Sequence, residues 1–102
     1  LEDVGERPYR LDRMVTQLRQ ANLLSRASAI VIGELRDCDE PTGGPTARSV
    51  MADVLADFHG PVLFGFPSGH TTAPAVTLPF GVDCRVIGGP QPRLIIEEAA
   101  VE

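Results

Sequence analysis

Pro61-Val62-Leu63-Phe64-Gly65-Phe66-Pro67-Ser68-Gly69-His70 is the stretch on which the reading of this chain turns. A short apolar run, bounded by Gly60-Pro61 on one side and Pro67-Ser68-Gly69 on the other, predicts a buried strand over 61–66. His70 comes directly after it. A histidine where such a strand stops sits at the rim of a sheet, held by a rigid scaffold yet open to solvent, which is where catalytic groups are usually mounted.

Upstream of this run the chain turns helical. Val50, Met51, Val54, Leu55 and Phe58 mark one apolar face from Thr46 onward, with Thr46 as N-cap and Gly60-Pro61 as the stop. Asp37 to Pro45 carries loop chemistry. Before it, Ala29-Ile30-Val31-Ile32-Gly33-Glu34-Leu35 is nearly continuous and β-branched, as expected of a strand covered on both faces. Leu11, Met14, Val15, Leu18 and then Ala21 or Leu24 recur at helical spacing, predicting an amphipathic helix over 9–24. A helix crossing between two buried strands favours parallel pairing.

Downstream, a loop is expected over Ser68–Pro74, then strands at Ala75–Leu78, Asp83–Ile87 and Arg93–Glu97. Pro79-Phe80-Gly81 and Gly88-Gly89-Pro90 separate the strands with turn material suited to an antiparallel meander. The expected fold class is therefore α/β, with a parallel layer, a small antiparallel or barrel-like layer and two main helices.

Composition bounds the function. A chain of 102 residues forms one domain with one modest core. Its 43% hydrophobic and 23% charged residues exclude wholesale disorder. A net charge of −5 argues against nucleic acid or an anionic membrane as partner, since both need a cationic face. No apolar stretch has the length of a membrane span and no signal peptide is visible, so a cytoplasmic location is expected. Cys38 and Cys84 could pair, but two reduced thiols are the ordinary reading without a secretion signal. Neither cysteine, nor His59 with His70, stands in a metal-ligand pattern, so no metal is expected. The first residues, Leu1 to Glu6, read as the end of a strand begun upstream, and hence as a piece of a longer protein.

Among groups able to do chemistry, His70 is suited to general-base work, because imidazole titrates near neutral pH. Ser68 stands too close in sequence to share a hydrogen bond with it on an extended segment, and is read as a turn residue. Thr71 and Thr72 are expected to bond the loop backbone and help fix the His70 ring. The acidic cluster Glu2, Asp3 and Glu6 has two readings. As a solvated junction it favours the start of helix 9–24. As part of a site, one of its carboxylates orients the imidazole.

A resemblance bears on that choice. Leu1 to Arg19, Ile32-Gly33-Glu34-Leu35-Arg36-Asp37-Cys38, Pro61 to His70 and Thr77-Leu78-Pro79-Phe80-Gly81 closely resemble, in the same order, the C-terminal domain of the LD-carboxypeptidase (muramoyl-tetrapeptide carboxypeptidase) family. The resemblance is weakest across 39–60 and after Val82. It implies a swivelling β/β/α-type domain, 1–102, of a serine peptidase that needs no metal or organic cofactor. That peptidase cuts an L,D-peptide bond to release the terminal D-alanine of the murein tetrapeptide. In the family a Ser-Glu-His triad does the work, and its serine belongs to an N-terminal flavodoxin-like domain. By motif match the glutamate falls on Glu2 and the histidine on His70, with Asp3 and Glu6 as fallback acids.

Ser25, Ser28, Ser49 and Ser68 all lack a nucleophile-elbow context. The chain is thus expected to carry two members of the triad and to be inactive alone. Its partners would be the peptide substrate and its own N-terminal domain. An apolar face left uncovered would also allow a homodimer, which elution against concentration would reveal. Two other readings stand beside this one. A relative of the same fold hydrolyses a peptide-nucleotide antibiotic, as microcin self-immunity proteins do. Alternatively, the chain is a non-catalytic interaction module, which a wide separation of Glu2 from His70 would favour.

Overall fold

A computed structural model describes residues 1–72, 74–99 and 101. Ala73, inside the expected 68–74 loop, lies outside the described residues. The order of elements is α1 (Pro8–Gln20), β1 (Ile30–Gly33), α2 (Ala47–Val54), β2 (Val62–Phe66), β3 (Cys84–Ile87) and β4 (Arg93–Ile96).

Pro8 opens α1 at a position where its missing N–H costs nothing. The helix ends at Gln20, short of the expected residue 24, and the reason is Asn22. Its φ of 60° lets Asn22 N–H donate to Arg19 O and Leu23 N–H to Leu18 O, at 2.9 and 3.0 Å, which closes the last turn. At the start of α2, Thr46 is the N-cap as expected. Its hydroxyl accepts from Ser49 N–H at 3.0 Å, while Thr46 N–H donates back to Ser49 Oγ at 3.1 Å.

β1 and β2 pair in parallel, with α2 as the crossover. The register runs evenly from Ile30↔Val62 to Ile32↔Phe64 and then jumps to Gly33↔Phe66. Gly65, at φ 85°, is the residue left over. Such a bulge bends a strand and re-aims the chain beyond it, here the segment leading to His70. The chain start lies along the other edge of β1. The Leu1 amino group donates to Val31 O at 2.7 Å, and Gly33 N–H donates to Leu1 O at 2.8 Å, a parallel ladder step. Gly5 N–H then donates to Arg36 O at 2.9 Å.

The core fills the space between the helices and one face of this sheet. Leu11 and Val15 of α1, Ile30 and Ile32 of β1, and Met51 and Val54 of α2 form it with Leu35, Cys38, Ala47 and Leu55. Ile32 is 1% exposed, and burying a side chain of its size stabilises by roughly 1.5–3 kcal/mol. Arg19 ties the two helices at the rim, donating to Val54 O at 2.7 Å and to Asp57 Oδ2 at 2.8 Å.

β3 and β4 form an antiparallel hairpin, Cys84↔Ile96 to Ile87↔Arg93. Val86, Leu94 and Ile96 of the hairpin share an apolar groove with Val31 and Pro61. The result is a mixed α/β fold of helices, parallel sheet and hairpin, in agreement with the sequence. The strand expected at 75–78 does not form. Val76 N–H makes a single bond to Pro67 O at 2.7 Å and no ladder develops, since Pro74 and Pro79 bracket the run without N–H groups to offer. Phe80 is 95% exposed, and Val62, Val76 and Ile96 are also exposed. Cys38 is buried and Cys84 exposed, and both are free thiols.

Candidate active site

Three pieces of chain meet where β1 and β2 end. The first is the segment at Leu1–Asp3 laid along β1. The second is the exit of β1 at Gly33-Glu34. The third is the turn after β2, Ser68 to Thr72.

Glu2 and His70 are brought together across 68 positions of sequence. The Glu2 carboxylate accepts from His70 N–H at 3.0 Å through Oε1, and both its oxygens lie 3.2 Å from His70 Nδ1. One carboxylate thus holds the backbone and the ring of the same residue. Among the described residues Nε2 has no hydrogen-bond partner, and the His70 side chain is 60% exposed against 30% for Glu2. A ring oriented at Nδ1 and open at Nε2 can take a proton from a hydroxyl presented to it and return the proton to a leaving group.

Glycines make the approach feasible. A Cβ on Gly69 would lie 2.5 Å from Glu2 Cδ and 2.6 Å from Oε2, and one on Gly33 would lie 2.8 Å from Glu2 Cγ. Glu2 therefore runs in a slot between the end of β1 and the turn after β2. Gly69 also has φ 76°, which a residue with a Cβ adopts only under strain.

The fallback acids are engaged elsewhere. Asp3 Oδ1 accepts from Val4 N–H at 2.7 Å, and Glu6 pairs with Arg10 at 3.6 Å. Of the three N-terminal acids, only Glu2 reaches His70. Ser68 behaves as a turn residue, with its N–H on Phe66 O at 2.8 Å.

Thr71 and Thr72 depart from expectation. Their hydroxyls bond the Glu34 carboxylate and not the loop backbone. Thr71 Oγ1 donates to Glu34 Oε1, while Thr72 N–H and Oγ1 donate to Oε2 at 3.1 and 3.2 Å. These bonds, Thr71 first, hold the Glu34 carboxyl below the usual carboxylate range. Glu34 has no role in the sequence reading, and the signal that points to it is a lone acid ending an otherwise apolar strand. Nearby, burial pushes the Cys38 thiol up, which makes it an inert core group.

The same residues fall inside a family match. The family model of the LD-carboxypeptidase C-terminal domain matches residues 1–86, a span that takes in Glu2, Glu34 and His70. This chain belongs to that family. An LD-carboxypeptidase C-terminal domain thus supplies the frame, and β4 lies beyond the matched region.

The chain is 41% identical over 90 residues to a Synechocystis protein named as a carboxypeptidase, covering 86% of this chain and 30% of that one. It is also similar to the solved muramoyltetrapeptide carboxypeptidase of Oxalobacter formigenes. That match has a TM-score of 0.80 at 29% identity, covering 95% of this chain and 35% of the other. The Escherichia coli microcin C7 self-immunity protein MccF is 34% identical over 84 residues, 80% of this chain and 24% of its own length. MccF has been solved in complex with glutamyl sulfamoyl guanosine, and there the TM-score is 0.77. The LD-carboxypeptidase C-terminal domain therefore spans about a third or less of each of these relatives.

Proposed function

We propose that this domain supplies the glutamate and the histidine of a Ser-Glu-His peptidase. In our reading that enzyme releases the terminal D-alanine of a murein tetrapeptide by hydrolysing its L,D-peptide bond. The observation that carries the proposal is the Glu2 carboxylate bridging Nδ1 and the backbone N–H of His70 while Nε2 stays open. The family membership and the likeness to a muramoyltetrapeptide carboxypeptidase support the substrate class.

His70 Nε2 takes the proton of a serine hydroxyl as its oxygen attacks the scissile carbonyl carbon. The imidazolium then gives that proton to the amine of the departing D-alanine, and a water molecule repeats the sequence to free the acyl group. Glu2 keeps the ring in the tautomer that leaves Nε2 able to accept, and stabilises the imidazolium. The serine and the oxyanion donors come, on this reading, from a separate N-terminal domain. That fits a chain spanning 30% of the Synechocystis relative's length. The 102 residues alone are then inactive. In the full-length enzyme, His70→Ala should lower turnover by roughly three orders of magnitude or more. A near-normal rate in that variant would sink the assignment.

The likeness to MccF supports a second reading, in which the same pair serves hydrolysis of a peptide-nucleotide conjugate. Turnover of a murein tetrapeptide against an aminoacyl sulfamoyl nucleoside separates the two readings. A wide separation of Glu2 from His70 would favour the interaction-module reading, and the contact between them does not lend it that support.

A further inference from the structure

The residue after Gly33 does for the histidine what Gly33 does for the glutamate. Gly33 leaves room for the Glu2 side chain. Glu34 accepts three hydrogen bonds from Thr71 and Thr72, the two residues just past His70. On the other side of the histidine, Gly69 has φ 76° and no side chain to anchor it. The turn is thus tied down in two places, at His70 N–H by Glu2 and at Thr71-Thr72 by Glu34. Without the second tie, the exposed turn could rotate about its own backbone and carry the ring off Glu2.

We propose that Glu34 is a positioning residue of this site, its carboxylate pinning Thr71 and Thr72 so that the His70 ring rests on Glu2 with Nε2 outward. The inference rests on the reading of His70 as the base. The chemistry fits the role. Thr72 N–H can only donate, the hydroxyls are placed to donate, and an ionised carboxylate accepts from all three at once. Glu34 is half-buried and stands outside the apolar core, so its placement answers to the turn more than to folding.

The test is Glu34→Gln in the full-length enzyme, which keeps shape and volume but turns one acceptor into a donor facing donors. A base held slightly out of place loses rate more than binding. The expected result is a fall in kcat of about 10- to 100-fold with KM little changed. Thr71→Val, acting from the opposite end of the bond, should repeat it. In a His70→Ala background Glu34→Gln should cost nothing further, because no base remains to be positioned. Wild-type kcat in Glu34→Gln overturns the proposal. So does an equal fractional loss in both backgrounds, which would mean that Glu34 acts on the fold at large. Failure of the base assignment reads separately, since His70→Ala alone would then keep its activity.

Discussion

Glu2 reaches His70 only because nothing stands between them at Gly69 and Gly33. A methyl group at Gly69 would meet the Glu2 carboxyl carbon at 2.5 Å, and the φ of 76° adds strain that any L side chain would feel. Gly69→Ala should therefore destabilise the chain by about 1–3 kcal/mol and displace the carboxylate from the ring. Denaturant unfolding with turnover of the full-length enzyme checks this, and unchanged values in both would contradict it. Leu35 and Asp37, at φ 50° and 57°, also hold left-handed backbone where β1 turns away from the site. Leu35 is 4% exposed, so core packing holds it in that conformation.

At the scale of elements, the tie between β1 and the turn after β2 is electrostatic and so depends on pH. Its three hydrogen bonds favour the ionised Glu34, whose carboxyl is held below the usual range. Its contribution to stability is therefore complete above the ordinary carboxylate range and disappears as pH falls through the lowered folded value. Unfolding measured from neutral to acid pH should fall less steeply for Glu34→Gln than for the parent chain, and parallel curves would contradict this. Most of the elements are legible in the sequence. Thr46 declares the start of α2, and the β-branched run at 29–35 declares β1. Asn22 is harder to read as a stop, because asparagine at positive φ is a rarer terminator than glycine, and periodicity alone carries α1 too far. Gly65 inside an apolar run is a sign of the bulge, though the hydrophobic pattern by itself hides it. The run 75–78 looks like a strand by composition, but a strand also needs a neighbour whose free edge it can join.

For the whole molecule, the site is a product of topology. Residue 2, residues 33–34 and residues 68–72 converge because the first residues run along one edge of β1 while β2 pairs on the other. No spacing rule in the sequence brings Glu2 to His70. Periodicity supplies the layers and places His70 at a rim, whereas the choice of Glu2 over Asp3 and Glu6 comes from the family resemblance. This topology delivers a carboxylate to Nδ1 of His70 and leaves Nε2 without a partner among the described residues, and everything proposed for the site depends on that arrangement. The state of the His70 ring in the 102-residue chain is therefore the decisive observable, read by long-range proton–nitrogen-15 NMR at a pH where the imidazole is neutral. A proton on Nδ1 and none on Nε2 is expected, with that preference lost in Glu2→Ala. A ring protonated at Nε2 in the parent chain and unchanged in Glu2→Ala would contradict it.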